Sequence, residues 1–565
     1  MKEKKEVKTA LIHAAIAWKD KEYNLRNLLA LNEEAARQGA KIIVSPELAL
    51  SGYSFYSRSE IAFLAETIPG PATERFSEVA RRHQVYLALG LPECDQKTGL
   101  LYNSAVFIGP GGEVLGRARK LAPAFKENLW SARGNLPVLV CETAYGRVGL
   151  IICADAYWYK PARLAALKGA RLLLVLANWP PQCHPPENFW RARALENGFY
   201  LLACNRTGTD RSMDCTQARS YLIDSAGSIV QEFQAAEDAI FYADIPLEGE
   251  KFPSAPVQER LAARRPELYQ DIALDAFSHF EPEMLLGLPA PGPFVTAAVQ
   301  FRPLPLRLAE NRQMMASLLD RACVMAEERK LKLDLAVLPE LATTGVLAAR
   351  AEALQGAEAI PGPTVDLLAR KAWEKRLYVV WGMAERDGES LFNTAVLVGP
   401  AGLLGKYRKV HPSPLDAGWA RAGENEFVSF DLPCARVGLL LGSDLLFPES
   451  AESLAKRGVD LLCVPAFWTE KEILFLWEAR AVEQQVHLVV ANQWGGEGSC
   501  GAGGSFIFSY ARHPEKRQKI AAPGAGDEIR VLLLNPLSTR QKRFLEAVDY
   551  EPLLSKNDRA FKKWK

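Results

Sequence analysis

The chain has 565 residues, 48% hydrophobic and 24% charged, ordinary values for a globular protein. Its 68 basic and 67 acidic residues leave a formal net charge of +1, so the charge favours neither nucleic acid nor an anionic membrane as a partner. The opening MKEKKEVK lacks the apolar stretch and cleavage site of a secretory signal, and the longest apolar runs, such as 172–177 (LLLVLA), fall far short of the ~20 residues a membrane span needs.

In chain order, the run VKTALIHAAI from Val7 reads as a strand, and residues 24–38 place Leu25, Leu28, Leu29 and Leu31 at near-helical spacing. The run KIIVSPE, ending at Glu47, is a second strand, and residues 72–84 a second helix. Residues 104–120 read strand, Gly-Pro-Gly-Gly turn, strand. Gly109, Gly111, Gly112 and Gly116 belong to that hairpin and lack the pattern of a phosphate loop. RVGLIIC ends at Cys153, followed by the strand run ARLLLVLAN, a helix at 190–198 and the run YLLACN. Short aliphatic runs alternating with amphipathic stretches give an α/β class. Buried strands from two sheets with helices outside imply a four-layer α-β-β-α sandwich. Ten cysteines without a CxxC pair suit free thiols in a reducing cytoplasm, the expected location. Seven histidines without HExxH or a Cys/His cluster argue against a metal site.

The same text then recurs. YNSAVFIGP at 102–110 returns as FNTAVLVGP at 392–400, RVGL at 147–150 as RVGL at 436–439, and RARALEN at 191–197 as EARAVEQ at 478–484. The offset is 290 at the asparagines Asn103 and Asn393 and 289 at Lys120 and Lys409. Length alone would allow three or four domains at roughly 150 residues each; the repeat reduces that to two. The seam lies in PEMLLGLPAPGP at 282–293, with four prolines and two glycines. The expected domains are 1–285 and 294–565, joined by a linker at 286–293.

Sites in α/β folds lie at strand ends, and here strand ends carry Glu47, Lys120 and Cys153. A cysteine nucleophile acts as thiolate, and a nearby ammonium lowers its pKa. A carboxylate can take the thiol proton, return it to a leaving amine and then activate water, and an ammonium can hold an oxyanion.

These residues sit in PELALSGY (46–53), RK (119–120), RVGLIICAD (147–155), GARLLLVLANWP (169–180), NRTG (205–208) and RRPELY (264–269). In order and spacing these motifs resemble the nitrilase superfamily of carbon–nitrogen hydrolases, over both repeats. The resemblance implies a Glu-Lys-Cys triad of Glu47, Lys120 and Cys153, with a second glutamate, Glu127, seven residues after the lysine. It implies attack by Cys153 on an amide carbonyl, an oxyanion held by Lys120 and the N–H of Ala154, and a thioester that a Glu47-activated water cleaves. No metal or organic cofactor is implied. Tyr53 and Trp179 are expected to line the substrate pocket or to pack beside it. Asp155 is expected to brace the turn after the nucleophile.

In the second repeat Glu340 matches Glu47 and Lys409 matches Lys120, but Gly442 stands where the cysteine falls and Asp416 replaces the second glutamate. Ser443, one residue along, faces the other way on a strand and does not substitute. The 294–565 repeat is therefore expected to be inactive. It could pair with the first repeat as an intrachain pseudo-dimer, with room for further homo-oligomerisation. Cys153-Ala154-Asp155 resembles the amidase and carbamoylase branches of that superfamily, which implies a small amide or carbamoyl amide as substrate. Lys120-Leu121, Pro123, Glu127 and Trp130 resemble the nitrile-cleaving branch, so a nitrilase is the second reading. A binding or scaffold protein whose catalysis has lapsed is the third.

Overall fold

The structure, a computed structural model, describes residues 5–124, 126–181, 185–470, 473–495, 501–546 and 548–555. The chain forms two compact units, Met1–Ala263 with Leu545–Lys565, and Arg264–Phe544.

The first unit holds two six-stranded sheets. In chain order the strands are β1 (Glu6–His13), β2 (Ile42–Val44), β3 (Tyr86–Cys94), β4 (Leu101–Ile108), β5 (Val114–Arg119), β6 (Leu139–Thr143), β7 (Gly146–Ile152), β8 (Leu172–Leu176), β9 (Tyr200–Cys204), β10 (Ser220–Ile223), β11 (Ile229–Phe233) and β12 (Ala239–Pro246). One sheet runs β12-β1-β2-β3-β4-β5 and the other β11-β10-β9-β8-β7-β6. In each, parallel central strands are flanked by antiparallel ones (β1–β2–β3 and β7–β8–β9 are the parallel sets). The sheets meet at their inner faces, where Cys204 Sγ on β9 contacts the carbonyls of Ile12 and Val44.

Helices cover the outer faces. Helices Lys21–Arg37 and Pro71–His83 turn Leu25, Leu28, Phe76 and Val79 onto Ile12, Ile43, Leu87 and Val106 in one core. Helices Tyr159–Leu167 and Pro186–Asn197 lie on the second sheet, and every residue of β8 is buried, the pattern of a strand covered on both faces. The layers are α-β-β-α. The helix expected at 24–38 begins three residues earlier, where the Asp20 carboxylate accepts the Tyr23 N–H and caps it.

The second unit repeats the plan with β13 (Phe294–Gln300) through β24 (Glu528–Leu534), in orders β17-β16-β15-β14-β13-β24 and β18-β19-β20-β21-β22-β23. Each unit closes on a segment that the other repeat contributes in sequence. The stretch from Arg264, including RRPELY, packs in the second unit, where Arg264 Nε meets Glu449 at 3.0 Å and the Tyr269 hydroxyl meets His411 Nε2 at 2.7 Å. The Pro/Gly-rich seam also packs there, with Arg436 donating to the carbonyls of Leu286 and Gly287. Leu545, Glu546 and residues 548–555 close the first unit, where Lys160 Nζ donates to Leu545 O and to the Tyr550 hydroxyl, both at 3.1 Å. Among the described residues no helix is long and apolar enough to cross a membrane.

Candidate active site

Three strand ends of the first unit converge. Glu47 sits in the turn after β2, and the next residue, Leu48, takes a left-handed φ of 48°. Gly90 on β3 permits this turn to lie flat on the strand: a Cβ there would come within 2.4 Å of Pro46 O and 2.7 Å of Glu47 Cα. Lys120 follows β5 directly. Cys153 follows β7 directly and opens a 3-10 turn, Cys153–Tyr157, with φ of 45°. A non-glycine residue in that region is strained by about 1–3 kcal/mol, and such strain clusters at functional sites.

Lys120 Nζ lies 2.6 Å from Glu47 Oε1 and 2.7 Å from Glu127 Oε2. Asn103 Nδ2 bridges the same two carboxylates, at 2.8 Å to Glu47 and 2.5 Å to Glu127. The Ala124 N–H also donates to Glu127 Oε2. Glu47, Lys120 and Glu127 are all at most 1% exposed. Glu47 Oε2 makes no conventional hydrogen bond, and the Cys153 thiol neighbours the Glu47 carboxyl group. Asp155 ties the Cys153 turn to the lysine strand end, accepting from the N–H groups of Ile152, Leu121 and Ala122 at 3.2, 2.9 and 2.8 Å.

Burial dominates the titration of the cluster. It raises Glu47 above its ordinary value against the pull of Lys120, and the Glu127 charge adds to the rise. Burial works against the Lys120 cation, but the charges of Glu127 and Glu47 outweigh it and hold the ammonium protonated, well above its usual value. Burial and then the Glu47 charge push the Cys153 thiol well above its ordinary value, while Lys120 and the Asn178 backbone pull it down. The sequence argument has the nearby ammonium lowering the thiol pKa. That pull exists and is outweighed, so the resting sulfur is a neutral thiol beside a carboxylate acceptor. Burial also pushes Asp155 up to about 7.

Glu47, Lys120, Glu127 and Cys153 thus come together. Ala154 is half-buried beside the nucleophile. Tyr53 packs with Leu48, Phe55 and Trp130, its ring 5.5 Å from Lys120 Nζ. Trp179 lies in an aromatic cluster with Trp190 and Phe189, and its neighbour Asn178 reaches the thiol through the backbone. Two residues of the site went unassigned from sequence. Asn103 carried a signal, since the repeat returns it as Asn393. Gly90 carried none, because its role depends on an approach between distant segments.

The second unit builds the same clamp. Lys409 Nζ lies 2.6 Å from Glu340 and 2.7 Å from Asp416, and Asn393 Nδ2 bridges both at 2.6 and 2.8 Å. Asp416 is one methylene shorter than Glu127, and Ser413, at the position of Ala124, adds its hydroxyl to Asp416 Oδ2 at 2.8 Å. Gly442 occupies the position of Cys153: a Cβ there would lie 2.7 Å from Glu340 Oε2. Ser443 Oγ donates to the His411 carbonyl at 2.6 Å and is engaged away from Glu340.

The chain folds as two α-β-β-α sandwiches, one of which gathers a thiol, a carboxylate and a clamped ammonium at its strand ends, an architecture and site of the hydrolase class. The sequence profile of the family described as Carbon-nitrogen hydrolase matches residues 8–251 and again 295–511, and the chain belongs to that family. It is a tandem of two such domains and a hydrolase of carbon–nitrogen bonds other than peptide bonds. A "Nitrilase" of Pyrococcus abyssi is 33% identical over 233 residues, 40% of this chain and 84% of that protein. An "Omega-amidase NIT2" of Xenopus tropicalis is 32% identical over 257 residues, 43% of this chain and 89% of the relative. A "Citrullinase" of Francisella tularensis is 30% identical over 272 residues, covering 44% and 92%. Less than half of this chain spans most of each relative, as a tandem requires.

Gly90→Ala is expected to displace the Glu47 turn and lower kcat/KM by about a hundredfold, with far smaller loss of thermal stability. Unchanged steady-state kinetics would show that the close approach of β3 to Glu47 is not needed.

Proposed function

We propose that the first unit hydrolyses the C–N bond of a small amide or carbamoyl amide through a thioester on Cys153. The observation that carries this reading is the arrangement of Glu47: one carboxylate oxygen is held by Lys120 and Asn103, the other makes no hydrogen bond within this geometry, and the Cys153 thiol lies next to the carboxyl group. In the proposed sequence Cys153 Sγ attacks the carbonyl carbon as its proton passes to Glu47. Lys120 Nζ and the Ala154 N–H hold the oxyanion. Collapse of the tetrahedral intermediate expels ammonia or amine, which takes the proton from Glu47. Water then attacks the thioester, giving its proton to Glu47, and the thiol is restored as the carboxylic acid leaves. The buried Lys120 serves as a fixed positive charge throughout and does not itself transfer a proton.

The residues after the nucleophile, Ala154 and Asp155, favour the amide reading, in line with the omega-amidase relative. Cleavage of a nitrile through a thioimidate is the second reading; the likeness to the Pyrococcus nitrilase and the presence of Glu127 favour it. The reading places the enzyme in a reducing cytoplasm, where the eight described cysteines, none in a disulfide, stay as thiols. Without a nucleophile the second unit takes no part in the chemistry. We read it as the intrachain counterpart of a second subunit, a reading that its exchange of closing segments with the first unit supports.

An ammonia-release screen over primary amides, ureides and nitriles is expected to find turnover that Cys153→Ala abolishes and Glu47→Gln lowers by about 10²–10⁴-fold. Turnover that survives in Cys153→Ala would defeat the hydrolase assignment to this site. Preference for a nitrile over its amide would select the second reading.

A further inference from the structure

The second unit keeps polar groups that its clamp does not use. Glu340 is 2% exposed and its Oε2 makes no hydrogen bond, although Oε1 is held by Lys409 and Asn393. The indole nitrogen of Trp468 is buried and also makes none. The two converge: a Cβ at Gly442 would lie 2.7 Å from Glu340 Oε2 and 3.5 Å from both Trp468 Nε1 and the backbone nitrogen of Phe467. Phe467 stands at the position of Asn178, whose backbone reaches the thiol in the first unit. A buried acceptor and a buried donor left unmatched are both destabilising, and such groups in a native structure call for a partner. The clamp accounts for Oε1 and for Lys409; it does not account for Oε2 or the indole. A group that both donates and accepts, and carries no charge, fits them. An N–H answers the carboxylate, a carbonyl oxygen answers the indole N–H, and a neutral ligand avoids the two acidic residues beside it.

We propose that the Gly442 site of the second unit binds a small primary carboxamide without cleaving it, which would make the second repeat a ligand-binding unit. The test uses the full-length chain alkylated at Cys153 with iodoacetamide, which blocks the first site. Saturation-transfer NMR is recorded with propionamide and, separately, with propionate above pH 7, because burial pushes Glu340 up to about 7. Propionamide is expected to receive saturation and propionate at least tenfold less. Gly442→Leu, which sets a side chain against Glu340 Oε2 and the Trp468 indole, should abolish the transfer. Glu340→Gln, which keeps the shape, should weaken binding at least tenfold. No transfer to propionamide in the parent protein would overturn the proposal, as would equal transfer in both variants or a preference for propionate.

A separate observation concerns the closing segments. Lys160 and Glu449 hold equivalent positions, 289 residues apart, in the helix after the nucleophile position of each unit. Both are buried and their charges are opposite. Lys160 Nζ donates to Leu545 O and the Tyr550 hydroxyl and lies 4.0 Å from Glu546, whereas the Glu449 carboxylate accepts from Arg264 at 3.0 Å. Exchanging the segments would set Arg264 against Lys160 and Glu546 toward Glu449, burying like charges. We infer that this reversed polarity assigns each closing segment to its own unit, a repulsive device of the kind that specific pairings use. Hydrogen exchange on the full chain tests it. Glu449→Lys is expected to raise exchange in residues 264–274 at least tenfold, and adding Arg264→Glu to restore protection. Unchanged exchange in the single variant, or no recovery in the double, would overturn the inference.

Discussion

The ammonium of Lys120 is taken out of water and held between two carboxylates, and much of the first unit is arranged around that requirement. A buried ion costs several kcal/mol unless its partners are well placed, and losing one partner leaves an uncompensated charge worth about 3–5 kcal/mol. Glu47 must therefore reach Lys120 from a different strand end, which fixes the turn after β2 and requires the bare backbone of Gly90 beneath it. Glu127 closes the other side, and Asn103 spans the two acids. Asp155 couples the nucleophile turn to the same strand end through the N–H groups of Leu121 and Ala122. The clamp is both a structural demand and the source of the charge that the proposed chemistry uses.

The second unit separates these two roles. It keeps Lys409 between Glu340 and Asp416 and even offsets the shorter acid with Ser413, yet it has Gly442 where the first unit has Cys153. Leu341 keeps the left-handed φ of Leu48, at 52° against 48°. The nucleophile position does not: Cys153 has φ of 45°, whereas Gly442, the residue best able to adopt such an angle, lies outside that region. The strain at Cys153 thus accompanies the sulfur, while the strain at the acid accompanies the clamp. The second unit thus holds the same buried ion pair without a cysteine at the position of Cys153.

The parts of this arrangement legible in the sequence were those written in local pattern. Aliphatic runs with polar ends gave the strands and placed Glu47, Lys120 and Cys153 at their tips. The internal repeat aligned Gly442 with Cys153 without any structure. What stayed hidden depends on distant segments. PEMLLGLPAPGP reads as a linker by composition alone, yet it packs against Arg436, and the RRPELY stretch closes the second unit although it follows the first in sequence. Gly90 looks like any glycine in a strand. The direction of the thiol pKa also could not be read from residue types, because burial outweighs the neighbouring ammonium.

The central claim is that the buried cluster lifts Glu47 so that it serves as the base for Cys153. The pH dependence of kcat/KM for the best amide, in the parent enzyme and in Glu127→Gln, tests this most directly. Glu47 must be ionised to accept the thiol proton, so activity falls as pH drops through its pKa. The account predicts an acid limb above 4.5, the ordinary glutamate value, and a shift of that limb to lower pH when the Glu127 charge, which raises Glu47, is removed. An acid limb at or below 4.5 in the parent, or a limb that Glu127→Gln leaves in place or moves upward, would contradict it.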